Sequence, residues 1–406
     1  IMAGITKRWV ECALRLEQAG HEGLLVGGAV RDLLLGRAPE DLDMATDAPL
    51  SVLEELFPGG RRVGRGNKSV FLVPCEGGSC EVTSYHGGDL EHDLARRDFT
   101  VNALAMRFTG EIVGTPRSRR DVRDRVLRFN GRASDRLNED PLRALRLPRL
   151  AATLPGFSVE RGAVRAARRA APSLRLCAPE RIGREMRLGL SGNVRTFIRL
   201  LTSCGLAGLL RPLSGGVPRP LRLLRSLDRL DDGRSPLARR AALIASLGRG
   251  REYPDLKGRD EVARLLGEWN WPEGVRSEVA TCVGLRNALA AYLPREALAA
   301  LILEVGEAGW SSLAAVADAL PGGRGRMASL NSREAAAGIL ALLDRSADLL
   351  PTGDELMRRL SVPEGPEIGR ILRELRTECA LGRHGTKEEV LERGAALLSS
   401  KNTHTE

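Results

Sequence analysis

The chain has 406 residues, enough for two or three domains, and its core must be built mainly from Leu, Ala and Val, because 43 % of the residues are apolar but only 3 % are aromatic. A formal net charge of +10 is compatible with a polyanionic partner but does not by itself indicate one. The lack of an apolar run near the roughly 18–20 residues that span a bilayer argues against a membrane partner. Seven cysteines without a Cys-x-x-Cys pair and a start without a secretory signal predict a reduced, cytoplasmic protein, and five histidines are too few for a His/Asp metal-hydrolase domain.

In chain order, the first part of the sequence alternates between predicted helices and strands. A helix is predicted over 6–19, and a buried strand over 23–28 leads through a Gly-Gly turn into a helix over 30–36. The later elements predicted for this part are a strand at 41–46, a helix at 49–57, paired strands at 69–74 and 80–85, and a hairpin of 103–108 with 111–114. Cys75 and Cys80 flank the turn of the paired strands and are interpreted as ordinary half-buried thiols.

Beyond about residue 125 the strand signals vanish, and Ala/Leu/Arg patterns predict helices. The sequence therefore predicts an α+β fold, in which a small mixed α/β domain over 1–125 is followed by an all-helical remainder.

Asp41-Leu42-Asp43 is the first candidate for chemistry. On a strand, positions i and i+2 point to the same face, so the two carboxylates would converge while Leu42 faces the core. Such a pair is the minimal holder of two Mg²⁺ ions about 3.5–4 Å apart, which activate an attacking hydroxyl and stabilise a leaving pyrophosphate. An Asp-x-Asp alone is more often a solvated turn, but here a strand–Gly-Gly–helix unit precedes it. Glu81, on the next hairpin, is either a third carboxylate or a plain surface residue.

The pair Gly27-Gly28 lies where a predicted strand turns into a helix. Without Cβ atoms, backbone N–H groups and a helix N-terminus can approach a triphosphate, and Arg31 can reach the same phosphates from one turn further on. The alternative is an ordinary tight turn. A dinucleotide-binding site is disfavoured because the Gly-x-Gly-x-x-Gly fingerprint is absent from the sequence.

Arginine is concentrated between Arg96 and Arg149, where 14 Arg and no Lys stand against 7 acidic residues. Guanidinium groups bind phosphate in a fork geometry, so this segment is expected to contact a polyanion. Within it, the stretch DLARRDFTVNALAM at 93–106 is either a platform for ribose hydroxyls and phosphate or a helix cap with solvated arginines.

The stretch NEDPLRALRLPRL at 138–150 places Arg143, Arg146 and Arg149 on one helical face. An Asp acceptor and an Arg fork on a rigid helix can mimic a base-pairing edge, although a merely solvated face has the same pattern. Pro148 predicts a kink in this helix or a cost of about 3 kcal/mol, which makes Arg149 the least secure of the three assignments.

Three motifs, GGAVRDLLLGRAPEDLDMAT, DLARRDFTVNALA and EDPLRALR, resemble in their order and spacing the class II CCA-adding enzymes and bacterial poly(A) polymerases. APERIGREM at 178–186 is similar to the family's neck helix, and TGDELMRRLSVPEGPEIGRILREL at 352–375 to its tRNA-holding tail, whereas 200–340 matches only in helical character. The resemblance implies a nucleotidyltransferase head over 1–125, a helical neck for base selection over 126–200, and a helical body and tail that bind tRNA over 201–406.

The resemblance also implies roles for the residues of the head. Asp41 and Asp43 would hold two Mg²⁺ ions. Gly28, within the Gly27-Gly28 turn, would contact the nucleoside triphosphate together with Arg31.

The resemblance implies further roles on the second and third motifs. In the second motif, Arg97 would contact the ribose–phosphate region. Asp140 and Arg143 would read the Watson–Crick edge of the incoming CTP or ATP without a nucleic-acid template, and the nucleotide would be supported by Arg146 and Arg149.

The implied function is transfer of CMP from CTP, with ATP as an open second donor, to the 3′ end of the tRNA acceptor arm; DNA is not expected as a partner. Only ten residues separate Tyr85 from Arg96, where full CCA-adding relatives carry a much longer flexible loop, so the CC-adding subtype is favoured. The alternatives are a full CCA-adding enzyme and an A-adding enzyme or poly(A) polymerase. A catalytically silent tRNA-binding protein is disfavoured, because binding needs no Asp41/Asp43 pair.

The loop at 64–71 stands where relatives usually have a His-Gly pair, and its role stays open.

Overall fold

The computed structural model describes residues 2–39, 41–64, 70–75, 78–85, 88–210, 220–230, 237–248, 256–285, 294–319 and 323–402. The chain divides into two compact units, residues 1–207 and 208–406. The predicted boundary between head and neck at 125 lies inside the first unit, so the three-part division stays a prediction.

A seven-stranded mixed sheet forms the centre of the first unit. In chain order its strands are β1 (Leu24–Val26), β2 (Asp43–Thr46), β3 (Arg61–Val63), β4 (Val70–Cys75), β5 (Gly78–Ser84), β6 (Leu104–Met106) and β7 (Ile112–Gly114). Across the sheet their order is β3-β4-β5-β2-β1-β6-β7, and only β2 and β5 run parallel. This crossover places β5 beside β2, although some thirty residues separate the two strands in the chain.

The described residues of the first unit also form ten α-helices. They are α1 (Met2–Gln18), α2 (Gly28–Leu34), α3 (Leu50–Leu56), α4 (Leu90–Ala95), α5 (Pro116–Arg123), α6 (Ala133–Glu139), α7 (Arg143–Thr153), α8 (Arg161–Ala170), α9 (Pro179–Ser191) and α10 (Val194–Ser203). On α1 the buried residues Trp9, Ala13 and Leu16 share one face, as the 3.6-residue period requires. The α+β fold class predicted from the sequence is confirmed.

Several short elements differ from the sequence expectation. Strand β3, at the edge of the sheet, and helix α4 were not predicted. Two residues each from β8 (Val126–Leu127) and β9 (Ser158–Val159) pair in parallel, so the helical remainder contains a small sheet beyond the predicted limit at 125. Strands this short carry too few alternating positions to produce a pattern.

Pro148 does not end helix α7, which continues from Arg143 to Thr153. The proline follows little more than the first turn of the helix, so its missing N–H removes one intrahelical hydrogen bond, to the carbonyl of residue 144.

The second unit is helical throughout its described residues. Its helices are Pro220–Leu230, Leu237–Gly248, Leu256–Glu268, Glu273–Leu285, Arg295–Ala319, Gly323–Arg345, Gly353–Leu360, Pro366–Ala380 and Lys387–Asn402. The last three share a core of buried apolar side chains, formed by Leu356, Ile368, Ile371, Leu375, Cys379, Val390 and Leu397. Gly353–Leu360 begins with a capping box between Thr352 and Glu355.

By length and composition alone, the helix Arg295–Ala319 is apolar enough to cross a membrane. Its most apolar stretch is 44 % buried within the protein, and Leu298, Ile302 and Leu313 belong to the core. The exposed Glu304 and Glu307 interrupt the apolar run. At Gly306 the backbone leaves helical geometry, with a φ of 71° and a ψ of 172°, so the segment consists of two helices joined at a kink.

Candidate active site

Two carboxylates from neighbouring strands lie side by side at the start of β2. In the parallel register Asp43 of β2 is the partner of Glu81 of β5, and the Glu81 amide donates a 3.0 Å hydrogen bond to the carbonyl oxygen of Leu42. Residues in register on neighbouring strands face the same side of the sheet. Asp43 is half-buried and Glu81 is exposed. This position is compatible with Glu81 as a third carboxylate, and that role stays a prediction.

Asp41 lies just before the strand rather than within it. Because β2 begins at Asp43, Asp41 occupies an exposed bend, and the i, i+2 argument does not apply to it. Burial raises the pKa of Asp43 above its ordinary value, and repulsion from Asp41 adds to this rise, while Arg97 opposes it. The pKa of Glu81 is also raised, by desolvation and by the charges of Asp43 and Asp41. The three carboxylates repel one another, and a bound cation would relieve this repulsion.

Beside these carboxylates is a cavity of about 460 Å³, which we call the arginine cavity. It is lined by Gly27, Gly28, Asp43, Thr83, Asp93, Arg96, Arg97, Asp98, Asn102, Arg143 and Arg146. A lining that combines four arginines with the metal-ligand candidate Asp43 suits a nucleoside triphosphate. A second cavity of about 490 Å³, lined by Gly114, Pro116, Arg119, Arg120 and Arg123, contains no carboxylate and none of the predicted site residues.

Gly27 permits the close approach of an arginine to the backbone. Its φ of 73° and ψ of −130° are accessible to glycine but strained for other residues. A Cβ at this position would come within 2.7 Å of Nη1 of Arg97. Nη2 of Arg97 donates a 2.9 Å hydrogen bond to Asp93, which holds the guanidinium beside the Gly27-Gly28 turn.

We expect Gly27→Ala to cost about 1–3 kcal/mol of folding stability through backbone strain. We also expect it to weaken binding of CTP, the nucleotide that the motif resemblance implies, because the new methyl group displaces Arg97. The matched control is Gly36→Ala, which has the same φ of 73° but no neighbouring atom within 4 Å of the added Cβ. Urea denaturation measures the stability of both variants, and calorimetric titration measures their CTP affinity. A loss of CTP affinity that is equal in the two variants would contradict this role for Gly27.

Arg31 is buried and does not line the arginine cavity. Its side chain donates two 2.9 Å hydrogen bonds to Asp32 and one of 2.6 Å to Oδ1 of Asn102. Its guanidinium also lies close to the position that a Cβ of Gly28 would occupy. In this arrangement Arg31 supports the cavity wall through Asn102, and its contact with a triphosphate stays a prediction.

Asp98 is a buried carboxylate that joins the cavity wall to α7. Its Oδ1 accepts hydrogen bonds from the Phe99 amide, at 2.8 Å, and from Nδ2 of Asn102, at 2.9 Å. Its Oδ2 lies 3.1 Å from Nη1 of Arg146. Burial alone would raise the pKa of Asp98, but the charge of Arg146 and these hydrogen bonds outweigh it and hold the pKa below its ordinary value. The ionised carboxylate therefore positions Arg146 at the cavity.

Arg143, at the start of α7, lines the cavity with a guanidinium that is held from three sides. It donates a 2.7 Å hydrogen bond to Glu139 and bonds of 3.0 Å to the carbonyl oxygens of Arg136 and Arg96. A side chain fixed in this way is suited to selecting a planar ligand edge.

Asp140 and Arg149 are joined to helix α9. Asp140 forms an ion pair of 2.6 Å with Arg181 rather than with Arg143. Nε of Arg149 donates a 2.7 Å hydrogen bond to the buried Glu185, so that Arg149 links α7 to α9 and does not line the cavity.

Sequence reasoning gave no individual role to several residues that the structure brings to the site, although it counted the Asp and the Asn beside Phe99 in the possible ribose–phosphate platform. Asp98 and Asn102 belong to the quoted motif DLARRDFTVNALA, and Arg181 and Arg184 belong to APERIGREM. Arg184 lies near enough to lower the pKa values of Asp43 and Glu81 against the other causes that raise them. Their membership in these motifs could have pointed to them, but their roles depend on contacts between separate helices and strands.

The sequence and the structure were compared with those of known proteins. A family model described as the poly A polymerase head domain matches residues 24–86 and 76–128. The CC-adding tRNA nucleotidyltransferase of Shouchella clausii is 42 % identical over 177 residues, which cover 44 % of this chain and 46 % of that relative. Across this alignment the chain spans about half the length of the curated relative.

Two further similarities extend beyond the head. The CCA-adding enzyme of Geobacillus kaustophilus is 33 % identical over 316 residues, covering 70 % of this chain and 76 % of the relative. The crystal structure of the Bacillus stearothermophilus CCA-adding enzyme in complex with CTP superposes with a TM-score of 0.72 at 27 % identity, covering 98 % of both chains. The chain therefore belongs to the family of CC-adding and CCA-adding tRNA nucleotidyltransferases.

Proposed function

We propose that this protein transfers CMP from CTP to the 3′ hydroxyl of tRNA, releases pyrophosphate, and stops after two additions. The observation that carries the proposal is the position of Asp43 and Glu81, paired in register beside a cavity that four arginines line. The hydroxyl oxygen forms a bond to the α-phosphorus as the bond to the bridging oxygen breaks. The pyrophosphate leaves, and the hydroxyl proton is released.

Asp41 and Asp43, with Glu81 beside them, would hold Mg²⁺. Carboxylate oxygens are the hard ligands that Mg²⁺ prefers, and the mutual repulsion that raises the pKa values of Asp43 and Glu81 fits a site that receives cations. When bound, Mg²⁺ supplies activation of the attacking hydroxyl and neutralises charge on the leaving pyrophosphate.

The arginine cavity would bind and orient the nucleotide. Arg97, beside the open backbone of Gly27-Gly28, contacts the triphosphate or ribose, and Asp98 holds Arg146 in place for the same ligand. Arg143 presents a hydrogen-bond donor to the base edge, and Asp140 presents an acceptor. Asp140 is paired with Arg181 in this structure, so it would release Arg181 when it accepts a hydrogen bond from the base. The tRNA acceptor arm contacts the basic neck and the helical body and tail, and we place the enzyme in the cytoplasm.

Arg143→Ala should blur the preference among CTP, ATP and UTP more than it weakens triphosphate binding, because only the base edge would meet Arg143. Initial rates with each nucleotide measure this preference. The control is Arg123→Ala, which removes an exposed arginine that lines the second cavity and is paired with its neighbour Asp124. An equal loss for every nucleotide, with selectivity unchanged, would make Arg143 a structural or phosphate contact instead.

The predicted stop after two additions rests on the connection between β5 and Arg96. Helix α4 occupies Leu90–Ala95, and the side chain of Asp89 caps it with a 2.8 Å hydrogen bond from the His92 amide. A helical residue advances the chain by about 1.5 Å, against about 3.3–3.6 Å when extended, so the connection is even shorter in reach than its ten residues imply. Residues 86 and 87 of this connection lie outside the described residues. Such a segment has little capacity to extend across the nucleotide pocket and reset it from C to A.

A single set of reactions tests the proposal. tRNA lacking its last three nucleotides is incubated with CTP alone, with ATP alone and with both, and tRNA ending in CC is incubated with ATP. We expect two CMP additions with CTP and no addition of AMP to the CC end. Efficient addition of AMP to the CC end would make the protein a CCA-adding enzyme. Addition of AMP without prior CMP would indicate an A-adding enzyme or poly(A) polymerase, and tRNA binding without pyrophosphate release would indicate a silent binder.

A further inference from the structure

Three cysteine thiols meet on the side of the sheet that lies away from the carboxylates. The cluster consists of Cys12 on α1, Cys75 at the end of β4, and Cys80 on β5. The sulfur atoms of Cys12 and Cys75 are 3.6 Å apart, and those of Cys75 and Cys80 are 3.4 Å apart. All three sulfur atoms lie within 4.8 Å of one another.

The strand register brings the two strand cysteines together. In the antiparallel pair of β4 and β5, Val73 is the partner of Cys80 and Cys75 is the partner of Gly78. Cys75 and Cys80 are therefore diagonal neighbours on one face, because side chains alternate along a strand. Glu81, the residue after Cys80, faces the opposite side by the same alternation. Cys12 reaches the strand cysteines from α1.

The exposure of the three thiols differs in a way that permits access by a small ion. Cys12 and Cys80 are 4 % and 0 % exposed, whereas Cys75 is only half-buried. Two of the groups are thus shielded from bulk water, while the third opens a route from solvent. The sequence interpretation of Cys75 and Cys80 as ordinary thiols did not include Cys12, because 63 residues separate Cys12 from Cys75.

We propose that Cys12, Cys75 and Cys80 bind a thiophilic metal ion, with Zn²⁺ as the representative of this class. Thiolate sulfur is the soft ligand that such ions select, and a Zn–S bond is about 2.3 Å long. Three sulfur atoms at that distance from one tetrahedral centre would be roughly 3.8 Å apart. The observed spacing of 3.4 and 3.6 Å, with the third pair inside 4.8 Å, therefore needs only a small outward adjustment.

Binding at this site would join α1 to the β4–β5 hairpin. Each thiol releases a proton as its thiolate bonds to the metal, so binding is coupled to pH. A metal that binds the folded state alone also stabilises it by mass action. Because Cys80 precedes Glu81 in β5, the site would strengthen the strand that carries the third carboxylate. The site is separate from the proposed Mg²⁺ site, because the strand cysteines and Glu81 lie on opposite faces of the sheet.

The test uses the full chain, kept reduced, with Co²⁺ as a spectroscopic probe for Zn²⁺. We expect one equivalent of Co²⁺ to produce thiolate charge-transfer absorption that Zn²⁺ abolishes, and one Zn²⁺ per chain by elemental analysis after gel filtration. Cys75→Ser is the principal variant, because a half-buried position tolerates the change better than Cys12 or Cys80. It should lower Zn²⁺ affinity by more than the ~10–100-fold that the loss of an outer-shell partner costs.

Two controls make the test specific. Cys177→Ser changes another half-buried thiol that lies outside the cluster and should keep the absorption. Asp43→Asn should also keep it, because a carboxylate site produces no thiolate band. The proposal is overturned if the reduced wild-type chain shows no thiolate absorption with Co²⁺, or if Cys75→Ser binds Zn²⁺ as tightly as Cys177→Ser.

Discussion

Asp43→Asn is expected to reduce nucleotide addition by about 10³-fold or more while tRNA affinity stays within a few-fold. Stabilisation of transition-state charge by a bound metal is worth several kcal/mol, and each 1.36 kcal/mol corresponds to about a tenfold change in rate. Asp43 is half-buried, opposite Glu81 in the register and next to the arginine cavity, so its loss removes the central ligand of the proposed Mg²⁺ site. Under the proposed function the tRNA would be held by arginine-rich helices, which the substitution does not alter.

Single-turnover kinetics with radiolabelled CTP and a filter-binding assay for tRNA measure these two quantities. Mg²⁺ should also raise the unfolding temperature of the wild-type protein more than that of Asp43→Asn, which tests the metal site without an activity readout. Glu54→Gln, which neutralises an exposed carboxylate on α3, is the control and should behave like the wild type. Near-normal turnover of Asp43→Asn in Mg²⁺ would show that the metal assignment is wrong.

Asp98→Ala is expected to destabilise the first unit by about 3–5 kcal/mol, the usual cost of removing one partner from a buried ion pair. Asp98 is 6 % exposed and is bonded to Phe99, Asn102 and Arg146, so its removal leaves two buried donors and one guanidinium without this acceptor. Urea denaturation followed by hydrogen exchange of peptides from residues 1–207 isolates the unit concerned. Asp124→Asn is the control, because it changes an exposed carboxylate paired only with the adjacent Arg123 among the described contacts.

The same carboxylate predicts a pH dependence of stability. The folded-state pKa of Asp98 is lowered below its ordinary value, so its contribution is fully present above the unfolded pKa, about 3.9 for Asp, and is lost as pH falls through the folded pKa. The stability difference between wild type and Asp98→Asn should therefore be constant from pH 7 to about pH 5 and shrink below about pH 4. A difference that stays unchanged on acidification to pH 2 would indicate that folding does not lower the pKa of Asp98.

The sequence by itself was sufficient for the features that depend on neighbouring residues in the chain. The turn at Gly27-Gly28 and the helix that carries Arg143 and Arg146 are present, and the strand predicted over 41–46 is present from Asp43 onward. Each of them follows from a local pattern: glycine where φ is positive, a short apolar run, or a 3.6-residue period. The family resemblance, which rests on the same motifs, is confirmed by the comparisons.

Only the tertiary structure decided which side chains meet. Glu81 lies beside Asp43 because β5 pairs in parallel with β2, and a shift of one residue in this register would have turned it to the other face. In the same way, Asp140 meets Arg181 rather than Arg143, and Cys12 joins the strand cysteines. Pairings of this kind join positions far apart in the chain, so they depend on strand register and helix packing, which a local sequence pattern does not specify.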